Sequence, residues 1–87
     1  MDKKIFISKI ANTLSELNVI MNIKQLTELL NWNCITTDYG EPYKGKRGTY
    51  KLIHSVYNYL IDNKKMVEAE NVAKSFKRMN GTYAYQK

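Results

Sequence analysis

From residue 3 to 18 the apolar side chains recur at helical intervals. Phe6, Ile7, Ile10, Leu14 and Leu17 share one face, opposite Lys4, Lys9, Asn12 and Glu16, which predicts an amphipathic helix. Asn22 and Gln25 then stand at capping-box spacing, with Asn in place of Ser or Thr. They predict a helix to about Asn31 that buries Ile23, Leu26 and Leu30. Ile35-Thr36-Thr37-Asp38-Tyr39 is β-branched and aromatic and ends at Gly40, so it reads as extended, one arm of a small hairpin. Glu41 to Gly48 reads as a loop. Thr49 is the expected N-cap of a helix reaching about Asp62, with Leu52, Ile53, Val56 and Leu60 as its core face. A final helix over about 65–79 would bury Ala69, Val72, Ala73, Phe76 and Met79 and stop at Asn80-Gly81. The tail Thr82-Tyr83-Ala84-Tyr85 has strand composition and either pairs with 35–39 or forms a wing.

No repeat, low-complexity tract or linker divides the chain, so residues 1–87 read as one domain. The expected fold is mainly α: four helices with a short β-hairpin or wing, winged or helix-turn-helix-like. A chain of 87 residues buries only about 60–65% of its unfolded surface, which leaves little room for an enclosed catalytic cleft. Cys34 and His54 are the sole residues of their types. They exclude a disulfide framework, a multi-cysteine zinc site and a spare Cys/His pair. No enzyme activity, cofactor or metal is therefore expected. Apolar runs fall far short of the roughly 18 residues that span a bilayer. With no apolar leader behind Met1-Asp2-Lys3-Lys4, this predicts a soluble cytoplasmic protein without a membrane partner.

Charge changes the picture. Lys and Arg number 14 against 8 Asp and Glu, a net charge of +6, which favours a polyanion, with nucleic acid ahead of acidic protein or membrane. Between Pro42 and Ile61 there is no acid, while Lys44, Lys46, Arg47 and Lys51 crowd a glycine-containing loop and the helix start behind it. Glycines let backbone N–H groups approach an anion, and a helix N-terminus adds a favourable dipole. Rotation at 100° per residue places Lys51, His54, Ser55 and Asn58 together, away from the apolar stripe, with Thr49 and Tyr50 near the helix start. Such side chains can read base edges; the plainer alternative is a solvated outer face. Lys74 and Arg78, one helical turn apart, make a second basic patch, which would also serve simply to complement a helix dipole.

Leu30-Asn31-x-x-x-Ile35-x-Thr37-x-x-Gly40-x-Pro42-Tyr43 resembles the run L-N-x-x-G-I-x-T-x-x-G-x-x-[WY] in the DNA-binding region of large serine recombinases and related resolvase-type proteins. The resemblance covers residues 30–43 and continues loosely to 62. It implies that Leu-Asn closes a helix, that Thr-x-x-Gly crosses to a turn, and that the next helix enters DNA. Cys34 stands where the family usually has Gly, and the Lys44–Gly48 loop is about a residue longer than the usual link. Nothing matches the catalytic domain. The resemblance therefore implies a stand-alone helix-turn-helix module, a small regulator or accessory factor of a bacterium or mobile element, concerned for instance with transcription regulation.

Other features yield less. Gly40-x-x-x-x-Gly45-Lys46 imitates a phosphate-binding loop, but Arg47 stands where Ser or Thr should hold magnesium, and no apolar strand leads in. Tyrosines on either side of the basic loop fit stacking on unpaired bases, but serve as well in a small core. Trp32 is expected under the central loop and Cys34 as a buried small side chain. The expectation is non-catalytic double-stranded DNA binding. Lys44, Lys46 and Arg47 would neutralise phosphates, Lys51, His54, Ser55 and Asn58 would face the groove, and Lys74 and Arg78 would add outer contacts. A homodimer is open, since one helix reads few base pairs. The alternative is a basic module that binds an acidic protein partner through Trp32 or Tyr43 and inhibits or adapts a larger nucleic-acid machine.

Overall fold

A computed structural model describes residues 2–45, 47–78 and 81–85. Lys46, Met79, Asn80 and Lys87, to which the sequence assigns phosphate, core, cap and basic roles, lie outside the described residues. Helix α1, Lys3–Leu17, opens at Asp2, whose carboxylate accepts from the Lys4 amide at 2.8 Å, and ends on left-handed Asn18. Strand β1, Met21–Asn22, leads into α2, Ile23–Trp32. Asn22 and Gln25 form the expected capping box: Asn22 Oδ1 accepts from the Gln25 amide at 2.8 Å, and Gln25 Oε1 accepts in return at 3.1 Å. Helix α3 spans Arg47–Asp62, α4 spans Met66–Ser75, and strand β2 is Phe76–Lys77.

The core lies where α4 packs against α1 and α3, and α2 closes it from the α3 side. Ile7, Leu26, Leu30, Ile53, Val56 and Val72 are all fully buried there. Two polar contacts mark the α1–α4 seam: Ser75 Oγ donates to the Ala11 carbonyl at 3.2 Å, and Asn71 Nδ2 to Asn12 Oδ1 at 2.9 Å. The apolar stripe read for α1 is shifted by about one position. Ala11 is buried, Phe6 and Ile10 lie at the core margin, and Leu17 is 66% exposed beyond it.

Three expectations are corrected. The last helix stops at Ser75, not near residue 79. Phe76 turns extended and its backbone pairs in parallel with β1, Met21 opposite Phe76 and Asn22 opposite Lys77. Strand pairing with a distant segment overrides the local helical periodicity. Gly81 consequently serves a turn: its amide donates to the Arg78 carbonyl at 2.9 Å, with φ at +90°. Among the described residues the tail does not pair with 35–39. Tyr83 bridges Lys77 antiparallel and the Ala84 amide donates to Phe76 O, so residues 76–78 and 81–84 face each other as the two arms of a small hairpin beside β1. Residues 35–39, finally, are no strand but lead into a turn built on Thr37.

Candidate nucleic-acid interface

The loop between α2 and α3 is held by the residues of the recombinase-like run. Asn31 Nδ2 donates to the Tyr43 carbonyl at 3.0 Å while its Oδ1 accepts from the Tyr43 amide at 2.9 Å. Thr37 Oγ1 accepts from the amides of Tyr39 and Glu41, and the Gly40 amide donates to Thr37 O with Gly40 at a φ of +78°. Tyr43 is thereby drawn into the core, and a Cβ at Gly48 would meet its ring at 3.2 Å. The close approach brings the first turn of α3 against the loop. Replacing Asn31 with alanine strips the Tyr43 amide and carbonyl of their partners in a part-buried place. Urea denaturation is expected to register a loss of about 2 kcal/mol.

Cys34 is exposed rather than buried, and it takes the left-handed conformation that ends α2, with φ at +56°. Its amide donates to Asn31 O and the next amide, of Ile35, to Leu30 O. A non-glycine residue here carries a steric cost of roughly 1 kcal/mol. Cys34→Gly is therefore expected to raise stability by about 0.5 kcal/mol, after the greater freedom of glycine in the unfolded chain is discounted. A higher urea midpoint at unchanged slope would record it.

Along α3 the exposed residues Arg47, Lys51, Ser55 and Asn58 form a row, each one helical turn beyond the last, which Asp62 continues at the end of the helix; Tyr59 is exposed beside it. Tyr50 and His54 lie half-buried along one side of the row. Thr49 belongs to neither. It sits inside the helix, not at its cap, and is 0% exposed, so its assignment to a binding face is withdrawn. Its hydroxyl meets Thr27 Oγ1 at 2.7 Å. Because Thr27 already donates its proton to Ile23 O, Thr49 is the donor, and the pair ties α3 to α2.

Two shallow grooves flank the row. One, about 590 Å³, runs toward the start of α1 and the Thr37 turn and is mixed in charge, with Lys3, Lys4 and Lys51 facing Asp2, Asp38 and Glu41. Lys3 Nζ pairs with Asp38 Oδ1 at 3.0 Å, the one salt bridge among the described residues. Burial lowers the Lys3 pKa, but its bonds to Asp38 and to Tyr43 outweigh this and leave it above the ordinary lysine value. The second groove is lined by Arg47, Tyr50, Lys51 and His54, with no carboxylate.

The hairpin arms, with Tyr85 just after them, pack on two of the residues that line the second groove, Tyr50 and His54. The Arg78 guanidinium lies over the Tyr50 ring, 4.8 Å from its centroid, and Tyr85 packs on His54 at 4.6 Å and on Tyr57 at 3.9 Å. Arg78 and Lys74 therefore do not share a helical face. The early end of α4 carries Arg78 across to α3, while Lys74 remains exposed in the last turn of α4, beside Tyr83. No sequence signal joins Arg78 to Tyr50, because the contact depends on where the hairpin turns. Lys44 is exposed in the loop ahead of α3.

Trp32 also departs from expectation. It is 81% exposed, since the loop folds inward around Tyr43 and leaves the end of α2 uncovered; Tyr39, at the turn, is 92% exposed. Tyr43, an expected surface contact, is buried. Among the described residues no cluster of His, Cys, Asp and Glu is placed to hold a metal ion, and no helix is long and apolar enough to cross a membrane. In comparisons with known proteins, no family model, curated protein or solved structure matches the chain.

Proposed function

We propose that the protein is a non-catalytic double-stranded DNA-binding module, a small regulator or accessory factor that lays α3 into the major groove. The observation that carries this reading is the row Arg47, Lys51, Ser55 and Asn58, exposed and free of acid along a 16-residue helix up to Asp62 at its end. A helix of that length is about 24 Å long and fits a groove roughly 12 Å wide. In this reading Lys44 and Arg47 neutralise phosphates at the start of the helix. Lys51, Ser55 and Asn58 face base edges, where Asn pairs bidentately with adenine and Lys contacts guanine. His54, packed on Tyr85, sits at the margin of the groove-facing row. The recombinase-like run adds support of a separate kind, because its residues Asn31, Thr37, Gly40 and Tyr43 are those that hold the loop leading into α3.

The test is fluorescence anisotropy with mixed-sequence duplex DNA over a salt series. Binding that persists near physiological salt, with a steep dependence of log affinity on log salt, is expected. Binding that vanishes by about 0.15 M salt would reduce the interaction to charge alone and remove the reading. The exposed Trp32 and Tyr39 favour a second one, in which the basic surface docks on an acidic protein. Under it, Trp32→Ala weakens partner capture and leaves duplex binding unchanged.

A further inference from the structure

We infer that Arg78, which packs over the Tyr50 ring, and Arg47, which lines the groove beside that ring, form a phosphate site on the hairpin side of α3. The inference rests on the DNA reading only for the source of the phosphate, which there is a single backbone phosphate beside the groove-facing row.

The geometry of Arg78 leads. The hairpin pins its backbone, with the Arg78 amide donating to Thr82 O at 2.7 Å and its carbonyl accepting from Gly81. The guanidinium is laid on Tyr50, and its Nε is buried with no acceptor among the described residues. A buried cationic N–H without a partner is unfavourable, so an acceptor that reached it would be favoured. Packing over the ring restrains the guanidinium, so a contact to an oxyanion loses less side-chain freedom on forming.

The surroundings choose the anion. Arg47 and Lys51 line the groove that Tyr50 floors, and no carboxylate does. Arg47 is also the first residue of α3, whose free N–H end adds positive potential. Two guanidinium groups beside one another suit a phosphate oxyanion, to which Arg binds in bidentate fashion. The mixed-charge groove on the other side of α3, with Asp2, Asp38 and Glu41, has no such preference.

The test follows the Arg78 Nε–Hε cross-peak of the full chain by NMR, first with inorganic phosphate and then with a short DNA duplex. Both are expected to move it saturably, and sodium chloride at matched ionic strength is not. Tyr50→Leu keeps every charge but removes the platform, and should weaken phosphate binding roughly fivefold, whereas Tyr50→Phe should bind as wild type. Arg78→Gln should lower the salt slope of duplex binding by about one. A cross-peak unmoved by both ligands, or moved equally by chloride, overturns the site; so does Tyr50→Leu binding phosphate as wild type. If duplex binds while the Arg78 peak stays fixed, the site fails and the DNA reading stands. If phosphate moves the peak but duplex never binds, the site stands with free phosphate or a small phosphorylated ligand as its source, and the DNA reading fails.

Discussion

The double substitution Arg47→Glu with Lys51→Glu is expected to weaken duplex binding by roughly 100-fold or more near 0.15 M salt. Each residue is exposed on the outer row of α3 and has no ion-pair partner among the described residues. Nothing in the free protein is lost when either changes. On DNA, each cation releases condensed counterions from the duplex, and its removal lowers the salt slope by about one. Reversal of charge adds repulsion from the neighbouring phosphates. The thermal midpoint should stay close to wild type, because exposed substitutions away from caps and cores shift stability by about 0.5 kcal/mol or less. Anisotropy and a melting curve on the same sample check both halves. Wild-type affinity in the double mutant would remove α3 as the binding element.

Phe76→Ala is expected to cost about 3–5 kcal/mol, the usual range for emptying a large buried aromatic site. Phe76 is fully buried, its backbone pairs with Met21, and its carbonyl accepts from the Ala84 amide. Loss of the ring therefore loosens the end of α4, β1 and the hairpin together. Against a total stability of about 5–15 kcal/mol, this leaves little in reserve. Far-UV circular dichroism in a urea series would read it as an early transition. A midpoint unchanged from wild type would mean that the ring is not part of the cooperative core.

Legibility in the sequence followed the distance over which a residue finds its partner. The capping box at Asn22 and Gln25 was readable because donor and acceptor lie three residues apart. The core faces of α2 and α3 were readable from the spacing of Leu26, Leu30, Ile53 and Val56, since burial on one helical face imposes its own period. The end of α4 was not, because the strand that claims Phe76 lies far back at Met21. Trp32 was misplaced for a related reason: whether a loop covers it depends on where Asn31 pins Tyr43, a contact that periodicity does not encode. Cys34 keeps the left-handed turn at a position where glycine is usual, at some cost in strain, and so escapes a reading based on residue type. Of the candidate interface, Lys51, Ser55 and Asn58 emerged from the helical wheel. Arg78 was expected only as an outer contact beside Lys74, and its place over Tyr50 came from the fold.

The parallel pairing of residues 21–22 with residues 76–77 also sets a timetable for synthesis. A ribosome adds roughly 5–20 residues per second, so β1 waits several seconds for its partner to be made. Throughout that interval the apolar face of α1 that α4 later covers lacks its partner. That face gains its cover from the chain's own α4 only once the segment up to the hairpin has followed.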